Sequence, residues 1–146
     1  MLRISKKKFE LCARAIILKR NKILLCWNKK GKHFFFPGGH IYFGERAEFA
    51  LRREIKEEIG VLIKKFEFIG AVENVFWEEN VKHHEFNLVF YTELKKTKLQ
   101  VRENHIGFDW KSLEEFKEER VLPLALQKSL LRWFKDKKIF WSSQIS

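Results

Sequence analysis

Cysteine and proline are scarce in this chain of 146 residues, with two of each beside a single methionine. Cys12 and Cys26 are too few for a disulfide framework and lack CxxC spacing, so they read as buried, reduced thiols. They and the five histidines show no zinc-ligand spacing. Pro37 and Pro123 form no linker, and no repeat or low-complexity tract is present. No apolar run approaches the roughly 20 residues that span a bilayer. Lys6-Lys7-Lys8 precede an apolar run, but Arg14 interrupts it and no small-residue cleavage site follows, so a signal peptide is not expected. The expectation is a soluble cytoplasmic protein with no membrane partner, folded as a single domain over residues 1–146.

Acidic residues are also in deficit. Lys and Arg number 30 against 19 Asp and Glu, a net charge of +11. Such an excess favours polyanions, among them nucleotides, RNA or an anionic surface, without choosing between them. Hydrophobic residues make up 45% and charged residues 34%, which fits a globular rather than a disordered chain.

Strands are expected over 9–18 and 23–27, joined by the polar turn at 19–22, and over 33–36 until Pro37-Gly38-Gly39 breaks the run. A short strand at 41–43, a helix at 46–59 ended by Gly60, and long strands at 63–76 and 85–94 follow. Residues 77–84 read as a polar loop. A strand at 106–110, a short helix capped by Ser112 and a last helix at 122–134 close the chain. Strands surrounding one central helix, with helices at the end, predict an α+β fold with a mixed sheet packed between helices. Phe34, Phe36, Phe66, Phe68 and Phe90 are expected in its core.

The helix at 46–59 carries the chemistry. With Ala47 at zero, Leu51, Ile55 and Ile59 fall at about 40°, 80° and 120° and form a buried stripe. Glu58 falls at about 20°, Glu54 at about 340° and Glu57 at about 280°, so three carboxylates gather beside that stripe. Carboxylates crowded at a core edge repel one another and take up protons unless a cation sits among them. Mg²⁺ is the natural oxygen-ligated choice, with Mn²⁺ a substitute. Arg53 can grip a neighbouring carboxylate, and the Pro37-Gly38-Gly39 turn lets backbone groups approach a phosphate or metal closely.

These residues resemble the Nudix box at every defined position: Gly39, Glu45, Arg53-Glu54-Ile55, Glu57-Glu58 and Gly60-Val61, in the family's spacing. Arg46 departs mildly, standing where Thr or Ser is common. The resemblance implies the Nudix α/β/α sandwich and divalent-dependent hydrolysis of a nucleoside diphosphate linked to another group. It implies Glu54, Glu57 and Glu58 as metal ligands with the Gly38 carbonyl, and Arg53 and Glu45 as residues that orient them. Catalytic carboxylates would come from Glu54, Glu57 and Glu103, with Glu54 and Glu103 competing as general base and Glu85 a weaker third.

Gly39 and Trp77 are the candidate substrate contacts, Trp77 as an exposed ring for base stacking. His83 and His84, being adjacent, should face opposite sides of a strand and share no ion. Nucleoside triphosphates, ADP-ribose, dinucleotides and nucleotide sugars are all candidate substrates. An RNA 5′ end is an alternative that the charge favours, although no RNA-binding motif is visible. A non-catalytic nucleotide-binding module is the other alternative, opposed by the intact carboxylates, and a homodimer is compatible with the sequence.

Overall fold

A computed structural model describes residues 6–28, 30–95 and 106–146. Three chain segments converge on the first strand. β1 (Lys6–Lys19) runs parallel to β6 (Val81–Leu94) along twelve register pairs, from Lys6–Val81 to Ile17–Thr92. Its opposite edge pairs with β4 (Gly38–His40) through Cys12–His40 and Arg14–Gly38, then with β2 (Lys22–Asn28) further along. β5 (Ile63–Glu78) joins β6 as a long antiparallel hairpin, and β8 (Phe140–Ser143) adds a parallel edge to β5. β3 (Phe34–Phe35) and β7 (Ile106–Ser112) flank β2.

Strand alternation sorts β1 between two cores. Ala13, Ala15 and Ile17 pack beneath α1 (Ala47–Ile59) with Leu51, Ile55 and Ile59. Ile16 faces the other way, into a core shared with Phe116 of α2 (Leu113–Glu118) and with Leu126 and Leu130 of α3 (Leu124–Asp136). The sheet therefore lies between helices, as the strand and helix order predicts.

Several local expectations are corrected. The strand after Pro37 is Gly38–His40, not 41–43, because Gly38 (φ 136°) brings its backbone against Ala13 of β1. Residues 77–84 are no loop: β5 runs through Trp77, and Glu79 and Asn80, both at positive φ, turn the chain directly into β6. Arg46 does stand at the α1 N-cap but makes no side-chain cap bond. Phe68 is 41% exposed, because register shifts on either side of it break the strand's alternation. β8 carries no sequence signal that the pattern reading detected.

Gly60 closes α1 in the left-handed conformation, its N–H bonded to Lys56, and Ser112 caps α2 in a capping box with Glu115. Ser112→Ala should lower stability by about 1 kcal/mol, a fall in Tm of roughly 3 °C, which calorimetry would read.

Candidate active site

The helix at the centre of this fold presents Glu54 to β4. A methyl group built on Gly39 would lie 2.6 Å from the Glu54 carboxyl carbon and 2.7 Å and 2.9 Å from its oxygens. One built on Gly38 would lie 2.0 Å from the Ala13 carbonyl oxygen. Gly38 is needed for the main chain to lie against β1, and a side chain at Gly39 would displace the Glu54 carboxylate.

Arg53 organises the opposite side of Glu54. Its Nε and Nη2 each donate to Glu45, both at 2.9 Å, its Nη1 donates to Glu54 at 3.0 Å, and its Nη2 also donates to the His40 carbonyl at 3.0 Å. Glu57 stands 3.7 Å from Nη1, and the guanidinium stacks 4.1 Å from the Tyr42 ring centroid. Glu45 completes the loop by accepting the Tyr42 N–H at 3.1 Å. The hydrogen bonds from Arg53, then that from Tyr42, hold the Glu45 carboxyl below its ordinary range. The Glu45 grip, aided by Glu54, raises the Arg53 pKa despite some burial.

Glu58 is buried, Glu54 partly so and Glu57 exposed, so the three carboxylates of one helix sample three environments. Among the described residues no three His, Cys, Asp or Glu side chains are gathered as a coordination shell, and Glu54 and Glu57 both lie toward Arg53. The donors nevertheless suit a hard divalent cation: carboxylate oxygens within one helical turn, packed against a glycine backbone with no Cβ between them.

Beyond this cradle the sheet carries a polar floor that the sequence reading did not anticipate. Arg14, partly buried in β1, donates from Nε to Asn87 at 3.0 Å and from Nη1 to the Phe36 carbonyl at 3.2 Å, with Glu85 3.9 Å from Nη2. Asn87 donates to Glu85 at 2.7 Å and to Asn74 at 3.1 Å. Burial alone would lower the Arg14 pKa, but the negative charges of Glu85 and then Glu58 among its neighbours raise it. Arg14 thus ties the box helix electrostatically to Glu85 on β6.

Nearby, Glu10 is buried between the rings of His40 and His83. Burial pushes its carboxyl up, yet the hydrogen bonds with His40 and His83 hold it below the ordinary range. The signal for this floor was a charge inside each of two apolar strands, Arg14 in one and Glu85 in the other.

The remaining candidates separate. His83 and His84 face opposite sides, bonding Glu10 and Glu73 respectively. Trp77 is 59% exposed and shares a cross-strand row with Lys82 and Lys7, five residues along β1 from Cys12. At about 3.3 Å per residue that is roughly 17 Å from the β4 pairing, so the structure does not bring Trp77 to the carboxylates. Glu103 lies outside the described residues. A cavity of about 180 Å³, lined by Trp27, Lys32, His33, Phe34 and Glu119 among others, opens beside β3, just before the Pro37-Gly38-Gly39 turn.

Cys12 sits 3.8 Å from Glu85, and burial first, then the Glu85 and Glu10 charges, pushes its thiol up to about 12. Neither cysteine is disulfide-bonded and both are buried. The native protein at pH 8 should show no fast reaction with a thiol reagent, and two equivalents should react once it is unfolded in denaturant.

A family model described as "NUDIX domain" matches residues 8–134. An 8-oxo-dGTP diphosphatase of Buchnera aphidicola (from Schizaphis graminum) is 27% identical over 106 residues, covering 70% of this chain and 76% of that protein. An ADP-ribose pyrophosphatase of Methanocaldococcus jannaschii is 32% identical over 126 residues, covering 81% of this chain and 70% of the relative. The crystal structure of a MutT protein from Methanosarcina mazei Go1 superposes with a TM-score of 0.71 at 20% identity, covering 93% of this chain and 99% of that one.

Proposed function

The chain belongs to the Nudix family of hydrolases, and on that premise we propose that it is a divalent-cation-dependent pyrophosphohydrolase of small nucleotides, cleaving a diphosphate that links a nucleoside to a further group. The observation that supports this most strongly is the joint placement of Glu54 against Gly39 and in the grip of Arg53. Glu54, Glu57, Glu58 and the Gly38 carbonyl are the proposed metal ligands, and Arg53 with Glu45 orients Glu54 and Glu57. Mg²⁺, with Mn²⁺ as substitute, supplies charge neutralisation at the diphosphate and Lewis acidity at phosphorus.

The chain's own residues then have separable tasks. Arg53 fixes the Glu54 side chain through a bidentate anchor on Glu45, so that carboxylate loses little freedom when substrate arrives. Arg14 keeps positive charge beside buried Glu58 and Glu85. Glu54 or Glu103 takes the proton of the attacking water. The cavity beside Phe34 is the proposed seat of the nucleoside end, since Trp27 and Phe34 offer apolar faces and Lys32 and Glu119 offer polar groups. The named activities of the relatives make 8-oxo-dGTP and ADP-ribose the first substrates to assay.

Glu57→Gln and Glu58→Gln should each remove most divalent-dependent turnover on a panel containing both compounds, with circular dichroism unchanged. Parental rates in either folded variant would remove that residue from the ligand set. Glu103→Gln locates the base: a lowered kcat with Mg²⁺ binding intact assigns the role to Glu103, and parental turnover in that variant leaves it to Glu54.

Mg²⁺ at about ten times its Kd should add about 1.4 kcal/mol to stability, raising Tm by roughly 3–5 °C at matched ionic strength. The triple Glu→Gln variant at positions 54, 57 and 58 should lose that response. An equal shift in parent and triple variant would place the ion elsewhere.

A further inference from the structure

We propose that the exposed end of the sheet, on the face that α1 covers elsewhere, is a binding platform for single-stranded nucleic acid, separate from the hydrolytic site. α1 packs on Ala13, Ala15 and Ile17 but stops short of the first rows of β1. There Phe9 is 77% exposed and Leu11 44% exposed. The parallel pairing of β1 with β6 sets Phe9 beside His84, and the rings of Phe9, His84 and Phe86 form one aromatic ladder. His84 and Phe86 stack with centroids 4.7 Å apart and planes 18° from parallel, and Phe9 lies 5.0 Å from His84 and 6.3 Å from Phe86.

The next row outward is cationic. Lys7, Lys82 and Trp77 are cross-strand neighbours, with the Lys82 ammonium 5.9 Å from the Trp77 ring centroid. A recess of about 200 Å³ lies between these rows, bounded by Lys7, Phe9, Lys82 and His84 among others. Within these rows the carboxylate is Glu73, and its oxygens are already engaged by His84 at 3.3 Å and Ser143 at 2.9 Å.

The exposed Phe9 and Trp77 rings, backed by half-buried His84 and Phe86 and rimmed by lysines, match what a single strand requires: π-faces for unpaired bases and positive charge for phosphates. A second copy of the chain fits less well. It would set the Lys7 and Lys82 row against a molecule that also carries +11. Of the carboxylates of the proposed hydrolytic site, Glu54 lies against Gly39 of β4, which pairs with Ala13 rather than with the Lys7–Phe9 rows, so a strand bound here need not enter that site.

The test uses fluorescence anisotropy of a labelled twelve-residue oligouridylate and its oligothymidylate counterpart, both with 5′-hydroxyl ends, in EDTA. These conditions exclude hydrolysis and any 5′-phosphate recognition. Binding of either probe should weaken roughly tenfold in Lys7→Glu/Lys82→Glu, and the slope of log affinity against log salt should fall by about 1.4. Phe9→Ser should weaken it roughly fivefold to tenfold with the salt slope unchanged.

Glu57→Gln should bind like the parent, and Lys117→Glu/Lys138→Glu, the same charge change placed away from the platform, should keep at least half the affinity. Turnover of the small-nucleotide substrate should be unaltered in the platform variants, which separates this proposal from the hydrolytic one. Absent binding, parental binding by both platform variants, or equal weakening by the remote pair would overturn it. So would a concentration-dependent dimer that Phe9→Ser dissolves, since the face would then belong to a second copy.

Discussion

Gly38 lies so close to the Ala13 backbone that it has no room for a side chain, and next to it Gly39 lies directly against the Glu54 carboxylate of the helix. That approach sets the geometry of the whole site. It fixes β4 between Ala13 and Glu54, and it places the His40 carbonyl where Arg53 can reach it. With Arg53 anchored on Glu45, His40 and Glu54 at once, the loop before the helix, the strand before the loop and the helix itself become one unit. Moving any of the three would expose a charged group without its partner, and the cost of leaving a partly buried charge unpaired exceeds the net worth of the bond itself.

How much of this was legible in the sequence depended on the range of the interaction. Short-range features were readable, because their causes sit within a few residues. The apolar stripe Leu51–Ile55–Ile59 predicts the buried face of α1, Gly60 predicts its end, and Ser112 followed by Glu115 predicts a capped helix. The spacing of Glu54, Glu57 and Glu58 also showed that they share one helix.

What pairing at a distance decides was not legible. The parallel match of β1 with β6 joins residues more than seventy positions apart and leaves no local trace, so the association of Arg14 with Glu85 and Asn87 could not be read off. The hairpin at Glu79–Asn80 was missed because a glutamate at positive φ is not a turn signal. Phe68 was misplaced because the register shifts of β5 disrupt the alternation from which its burial was inferred.

Alternation along β6 also explains how one strand can serve two surfaces without confusing them. Glu85 and Asn87 enter the polar floor beside Arg14, whereas His84 and Phe86 lie on the opposite face with Phe9. The two histidines divide in the same way, His83 toward Glu10 and His84 toward Glu73. A single-residue slip in the β1–β6 register would exchange these sets, burying aromatic rings where Arg14 needs acceptors and exposing carboxylates on the aromatic face. The apolar core shared by Ile16 and Val89 on one side, and by Ala15 and Phe90 on the other, opposes that slip and so preserves both chemistries.

The charge distribution follows the same division. Residues 45–58 carry a net −1 and the rest of the chain +12, so the carboxylate helix sits in a basic background even though residues 113–119 are also acidic. A polyanion approaching from solution meets the basic field first, and at physiological salt that field extends only about 8 Å from each exposed charge. Steering therefore depends on where the lysines lie rather than on their number. Lys7 and Lys82, roughly 17 Å or more from the β4 pairing, stand apart from the carboxylate helix. Their position beside the exposed Phe9 and Trp77 rings gives that part of the positive charge a local task on the sheet face, distinct from the proposed neutralisation of a small diphosphate at the helix.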